Sequence, residues 1–142
     1  MDLDFQWKRL DDLSTREMYT IIQAREAVFV VEQACAYQEV DGLDLDSWHL
    51  SVLKDGELAA YARVVEPGLK YKEPSIGRVL TLAKFRSLKI GYALVAEAIV
   101  ILPPHMRRQQ VVQRGDRPAP GHFFADLEPF RMLVEHRVDD VD

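Results

Sequence analysis

Residues 75–100 read SIGRVLTLAKFRSLKIGYALVAEAIV, and this stretch decides the fold of the chain. Residues 75–82 form a short β-branched and apolar run, which predicts a strand. Residues 92–100 are rich in alanine and leucine at helical spacing, which predicts a helix. The polar turn between them, residues 86–91, sets the helix N-terminus just beyond the strand. Because that end carries unpaired N–H groups and the positive end of the helix dipole, it suits an anion such as a phosphate.

The composition predicts one soluble domain. The chain has 142 residues, 48% of them hydrophobic, with a net charge of -5. A phosphate backbone needs a basic surface, so nucleic acid is excluded as the main partner. No apolar run approaches the ~20 residues of a membrane span, and residues 1–4 do not resemble a signal peptide, so we expect a cytoplasmic protein that does not bind membranes. A single cysteine, Cys35, allows no internal disulfide.

The elements before this stretch also have local signals. Ser14 and Glu17 have the spacing of a capping box, and the apolar spacing after them predicts a helix as far as about Phe29. Residues 30–42 lack a clean period and are interpreted as a short helix plus loop. Residues 48–53 and 58–65 are two apolar runs around an Asp-Gly pair, which is a strong signal for a β-hairpin.

Five ordered motifs accompany these elements. They read RxxVFVVEQ from Arg25, YxExDGxD from Tyr37, HL at 49–50, AYAR at 60–63 and IGRV at 76–79. Together they resemble the ElaA branch of the GNAT acetyltransferases, over about residues 5–100. The resemblance implies an α/β (α+β) fold, with a mixed, mainly antiparallel sheet flanked by helices, in a domain of residues 1–102. It also implies transfer of an acetyl group from acetyl-CoA to a primary amine.

The resemblance further implies where acetyl-CoA binds. The strand would hold the pantetheine arm through Arg78, Val79 and Leu80, and the following loop would hold the pyrophosphate through Arg86, Ser87, Lys89, Ile90, Gly91, Tyr92 and Ala93. The family usually carries glycine at the position of Lys89, where the absence of a Cβ lets the backbone approach the pyrophosphate. We therefore expect a weakened CoA site, unless the Lys89 ammonium compensates by contacting a phosphate.

Three carboxylates are candidates for the proton acceptor on the amine side. In this fold Glu32, Glu39 and Asp41 lie on the segment that lines the acceptor side, and Glu32 is the catalytic candidate that we prefer. The same side chains could instead attract a cationic amine, and Glu32 has a competing interpretation as a solvated or loop-pinning carboxylate. No residue is assigned as the acid that protonates the departing thiolate.

Other reactive side chains have plainer interpretations. His49, between Trp48 and Leu50, is interpreted as a hydrogen-bonded structural side chain. Cys35 is interpreted as a small buried hydrophobe. The four histidines, at positions 49, 105, 122 and 136, show no metal-ligand spacing, so we expect no metal.

The resemblance stops near Ile101. Residues 103–142 are rich in proline and glycine and form a divergent segment, so the GNAT sheet is expected to be incomplete at its C-terminal end. Codons for residues 120–132, read one nucleotide later, can encode short motifs that resemble those of the family. A frameshift is therefore one hypothesis. The alternative function is a catalytically inactive or truncated relative that acts as a binding module. The sequence leaves open the oligomeric state and whether the acceptor amine belongs to a small molecule or a peptide.

Overall fold

A four-stranded antiparallel sheet organises the protein. The computed structural model describes residues 2–72 and 74–101. The strands lie in the order of the chain: β1 (Asp4–Arg9), β2 (Ser47–Lys54), β3 (Glu57–Val65) and β4 (Ser75–Thr81). The mainly antiparallel sheet predicted from the sequence is confirmed, and every pairing among the described residues is antiparallel. The divergent segment 103–142 and the frameshift hypothesis lie outside the described residues.

The β2–β3 hairpin turns at the predicted Asp-Gly pair. Asp55 and Gly56 both have positive φ, 53° and 78°. Two left-handed residues in succession give the turn whose twist matches that of the flanking strands, and aspartate and glycine tolerate this conformation best. The hairpin prediction is confirmed.

Helix α1 (Thr15–Arg25) begins at the predicted capping box. The Ser14 hydroxyl accepts from the Glu17 N–H at 3.1 Å, and the Glu17 carboxylate accepts from the Ser14 N–H at 3.0 Å. The chain then continues as a π-helix, Glu26–Glu32, with wide-turn bonds such as Cys35 N–H to the Val30 carbonyl at 3.0 Å. The helical run predicted as far as about Phe29 is thus divided into an α-helix and a π-helix that ends at Glu32, since apolar spacing does not distinguish an α-turn from a wider π-turn.

The two helical segments cover opposite faces of the sheet. On one face Ile21, Ala24 and Val28 pack against Tyr61 and Leu80. On the other, helix α2 (Ile90–Ile101) packs its buried residues against the strands, and this cluster includes Ala60, Ala62, Val64, Leu94, Val95 and Ala98. From Ala60 to Ala62 the residues of β3 alternate between the two clusters, as the period of a strand requires. The expected sheet with helices on both faces is confirmed.

A short connection leads from β4 to α2. A 3₁₀ helix, Ala83–Leu88, follows the strand, and α2 starts at Ile90. The predicted strand, turn and helix are therefore present, and the helix N-terminus lies where the anion site was expected. Lys89, between the two helices, has φ 56° and ψ 30°, in the left-handed region. This conformation explains why glycine suits the position, since a Cβ there meets the following carbonyl oxygen.

Lys89→Gly is expected to raise the free energy of unfolding by about 0.5–1 kcal/mol, because glycine adopts the left-handed conformation without that penalty. Thermal unfolding followed by circular dichroism measures the change, as a rise of a few degrees in the midpoint. Lys89→Ala is the matched control, because it removes the ammonium and keeps the Cβ. If the alanine variant gains as much as the glycine variant, the left-handed backbone is not the cause.

Candidate functional site

An ion pair joins the π-helix to the turn before α2. The Glu32 carboxylate accepts from both terminal nitrogens of Arg86, Nη1 at 2.6 Å and Nη2 at 2.8 Å. The third guanidinium nitrogen, Arg86 Nε, donates to the Thr81 carbonyl at 3.0 Å. The hydrogen bonds from Arg86 hold the pKa of Glu32 below its ordinary value. The structure thus brings the predicted catalytic carboxylate together with the first residue of the predicted pyrophosphate loop.

Some of the other residues of the predicted pyrophosphate loop are buried, and others are exposed. Ile90 and Gly91 are buried, whereas Ser87, Lys89 and Tyr92 are exposed. The Tyr92 N–H points back to the Lys89 carbonyl at 3.2 Å. Because the Ile90 side chain belongs to the core cluster, it can offer a ligand only its backbone. The side chains exposed to solvent around the start of α2 therefore include those of Ser87, Lys89 and Tyr92.

Strand β4 carries a β-bulge at the residues expected to hold the pantetheine arm. Tyr61 pairs with Leu80 and Arg63 with Gly77, so Arg78 and Val79 together oppose a single residue of β3. Arg78 has φ 51°, a conformation uncommon for a non-glycine residue inside a strand. A bulge interrupts the regular ladder of a sheet, so it changes where the backbone N–H groups of the strand point. Among the described strands, only β3 pairs with β4.

The Arg78 side chain turns away from the strand into a cluster of charges, which we call the ion-pair cluster. The cluster contains three arginines and three carboxylates: Arg25, Arg63, Arg78, Glu39, Asp41 and Asp44. The guanidinium groups of Arg25 and Arg63 are fully buried. Its formal charges balance, as burial requires. The cluster fastens the end of α1 and the segment before β2 to strands β3 and β4.

Each carboxylate of the cluster has at least two arginine partners. Glu39 Oε1 accepts from Arg25 Nε at 2.8 Å and from Arg78 Nε at 2.6 Å. Asp44 accepts from Arg25 Nη1 at 2.6 Å and from Arg63 Nη1 at 3.1 Å. Asp41 binds Arg63 through both oxygens, at 2.8 and 2.9 Å, and Arg78 at 3.2 Å. These carboxylates therefore link the segment before β2 to α1, β3 and β4.

The same contacts bear on the choice of proton acceptor. Burial alone would raise the pKa of Asp41, but hydrogen bonds and charge from Arg63 outweigh it and lower that pKa to about 2. A carboxylate so acidic is a poor base near neutral pH. Glu39 is held by two arginines inside the protein. Of the three candidates, Glu32 has the most exposed side chain, 47% accessible against 24% for Asp41 and 7% for Glu39.

His49 is structural, as the sequence indicated. Its ring is fully buried, with Nε2 2.9 Å from the Asp44 carbonyl and Nδ1 2.7 Å from the Tyr61 hydroxyl. A carbonyl only accepts, so Nε2 carries the proton, and Nδ1 of a neutral ring accepts from Tyr61. Burial lowers the pKa of His49, which favours this neutral form. By contrast, the interpretation of Cys35 as a buried residue is only partly right, because its exposure is intermediate.

Sequence reasoning missed the ion-pair cluster as a unit. Arg25 lies on the apolar stripe of α1, and Arg63 lies within the apolar run of β3. A charged residue at a position whose neighbours are all buried must have a partner of opposite charge. That signal, together with the acidic spacing at 39, 41 and 44, could have identified the cluster.

The described residues contain neither a metal-binding cluster nor a membrane-spanning helix. Across residues 2–72 and 74–101, no group of three or more His, Cys, Asp and Glu side chains is placed to hold a metal ion. Within the same ranges, neither α-helix has the length and apolar character needed to cross a membrane.

Comparison with known proteins identifies relatives of the chain. A UPF0039 protein of Synechocystis is 44% identical over 100 residues, which are 70% of this chain and 65% of that protein. Protein ElaA of Escherichia coli is 38% identical over 104 residues, which are 70% of this chain and 68% of ElaA. The chain therefore spans about two thirds of the length of these curated relatives. No protein-family model matches it.

Two solved structures are similar to the chain in both fold and sequence. An acyl-CoA N-acyltransferase from Pseudomonas aeruginosa has a TM-score of 0.65 at 42% identity, covering 70% of this chain and 69% of that one. The crystal structure of Escherichia coli ElaA has a TM-score of 0.70 at 34% identity, covering 76% of this chain and 74% of ElaA. This chain therefore matches both solved proteins in sequence as well as in fold.

Proposed function

Since this chain belongs to the ElaA branch of the GNAT superfamily, we propose that it transfers an acetyl group from acetyl-CoA to a primary amine. The observation that carries the proposal is the junction of β4 and α2. A bulged strand there leads through the turn 83–89 to the exposed start of a twelve-residue helix. Such a helix N-terminus attracts phosphate oxygens through its N–H groups and its dipole.

The reaction is a direct transfer between two bound substrates. The amine nitrogen attacks the carbonyl carbon of the thioester, a C–N bond forms, and the C–S bond breaks. The ammonium proton must leave before attack, and the departing CoA thiolate takes up a proton. The protein therefore has to hold the cofactor in a fixed position and to receive the proton of the amine.

We assign these tasks to described residues. The backbone of Arg78, Val79 and Leu80 would hold the pantetheine arm. The pyrophosphate would lie against the start of α2, near the residues at 86, 87 and 89–93. Glu32 would receive the amine proton or attract the cationic amine, because it is an exposed carboxylate beside that turn. The side chain of Arg78 contributes by holding the bulge, since its donors are directed to Glu39 and Asp41.

A second candidate function is a catalytically inactive binding module. The observation that favours it is Lys89, whose side chain stands where the family usually has glycine, at the start of the helix. If that side chain fills the space needed by the pyrophosphate, the fold persists without its cofactor. The acceptor side would then be available for binding alone.

Thermal unfolding with and without acetyl-CoA, followed by an amine screen, tests the proposal. At a free concentration ~100-fold above Kd, acetyl-CoA should add ~2.7 kcal/mol to the free energy of unfolding and raise the midpoint by several degrees. The screen then measures release of the CoA thiol with polyamines, aminoglycosides, lysine peptides and peptide N-termini. Release of CoA that depends on one class of amine supports acetyl transfer.

The other outcomes separate the two candidate functions. Stabilisation by acetyl-CoA without release of CoA for any amine favours a binding module that keeps its cofactor. No stabilisation by acetyl-CoA contradicts the proposed transferase. In that case the Lys89→Gly variant is tested in the same way, since binding restored by glycine identifies the lysine side chain as the obstacle.

A further inference from the structure

Each of the three guanidinium nitrogens of Arg86 donates a hydrogen bond in the structure. Two of its nitrogens bind the Glu32 carboxylate, and Nε binds the Thr81 carbonyl. The pair is exposed, with 41% of the Arg86 side chain and 47% of the Glu32 side chain accessible to solvent. An exposed ion pair is worth little, at most about 1 kcal/mol, so a stronger anion can replace the carboxylate.

From this geometry we propose that Arg86 exchanges Glu32 for a phosphate of the cofactor, so that binding of the cofactor releases the carboxylate on the acceptor side. The proposal rests on the proposed function, because it needs the cofactor pyrophosphate at the start of α2. The pyrophosphate as a whole carries more negative charge and more acceptor oxygens than one carboxylate, and arginine binds phosphate and carboxylate in the same forked geometry. The Nε bond to the Thr81 carbonyl keeps the guanidinium beside the turn during the exchange.

The exchange makes the two substrate sites depend on each other. While Glu32 is paired, Arg86 neutralises its charge and lowers its pKa, so the carboxylate attracts an amine weakly and is a weak base. After release, the carboxylate regains both properties. The acceptor amine should therefore bind better to the protein that already holds the cofactor, and by linkage the amine should strengthen cofactor binding by the same factor.

Titration calorimetry with CoA, on four proteins, tests the exchange. The proteins are the wild type, Glu32→Gln, Arg86→Gln and the double variant. Glu32→Gln is expected to bind CoA up to roughly fivefold more tightly, because the phosphate no longer competes with a carboxylate for Arg86. Arg86→Gln is expected to bind roughly tenfold or more weakly, since a charge-assisted contact is lost. In the Arg86→Gln background, Glu32→Gln is expected to change the affinity little.

The double variant separates exchange from simple repulsion. If Glu32 only repels the phosphates, its neutralisation improves binding equally with or without Arg86, and that result overturns the proposal. Unchanged or weaker binding by Glu32→Gln also overturns it. Glu26→Gln is the matched control, because it removes one charge from an exposed position at the start of the same π-helix. It should leave CoA affinity nearly unchanged.

A second measurement reports on the carboxylate itself. The carboxyl carbon of Glu32, followed by NMR as pH is lowered, should titrate at a higher pH when CoA is saturating than when it is absent. An unchanged titration with CoA bound means that the pair persists, and the exchange is wrong while the cofactor assignment stands. Failure of the wild type to bind CoA overturns the proposed function and the exchange together.

Discussion

Asp44→Asn is expected to lower the free energy of unfolding by about 3–5 kcal/mol. The asparagine has nearly the same shape but carries no charge, so two fully buried guanidinium groups lose a shared partner. The remaining carboxylates, Glu39 and Asp41, cannot balance the three arginines of the ion-pair cluster. Such a loss is a large part of the 5–15 kcal/mol that holds a typical domain together. Urea unfolding followed by tryptophan fluorescence measures the change.

Asp46→Asn is the control for this substitution. Asp46 lies two residues further along the same 3₁₀ helix, and its side chain is exposed. Its replacement should change the free energy of unfolding by no more than about 0.5 kcal/mol. Equal effects at the two positions would show that the cluster does not stabilise the fold. The difference between the effects of the two substitutions measures the free energy lost when the cluster is broken. That loss is larger than the net free energy that the ion pairs contribute to the intact protein.

The second large effect is expected at Leu94, where α2 docks on the sheet. Leu94 is fully buried among the core residues of that face. Leu94→Ala should lower the free energy of unfolding by about 2–5 kcal/mol, through the lost transfer of the side chain and the cavity left behind. Because the same contact fixes the direction of α2, binding of acetyl-CoA at its N-terminus should weaken in parallel. Thermal unfolding with and without the cofactor measures both.

The same substitution at an exposed leucine provides the comparison. Leu88 lies at the end of the 3₁₀ helix before α2, with 39% of the residue exposed. Leu88→Ala removes the same atoms with little loss of burial, so its effect should be well below that of Leu94→Ala. If Leu88→Ala lowered the free energy of unfolding as much as Leu94→Ala, the turn before α2, and not the buried face of α2, would determine how the helix docks.

Much of the fold follows from local sequence signals. The Asp-Gly pair fixes the β2–β3 hairpin, the Ser14 and Glu17 capping box fixes the start of α1, and the apolar runs fix the strands. Each of these signals acts over a few residues, so one sequence suffices to find them. The apolar run at 75–82 and the helical spacing at 92–100 likewise predicted the junction of β4 and α2.

The parts that could not be predicted depend on contacts between distant residues. The pairing of Glu32 with Arg86 joins positions 54 apart in the chain, and no local pattern indicates it. The bulge at Arg78 depends on the register of β4 against β3. The π-helix also lacks a sequence signal of its own, since its apolar spacing is compatible with an ordinary helix. These features required the three-dimensional structure.

The order of the sheet has a consequence for synthesis of the protein. Because every strand pairs only with its neighbours along the chain among the described strands, no pairing among them needs a segment made after residue 81. Once residue 81 has left the ribosome, all four strands can pair, starting from the β2–β3 hairpin. Local pairing of this kind favours fast folding during translation. Helix α2 follows the four strands along the chain, so it can dock on a sheet that has already formed.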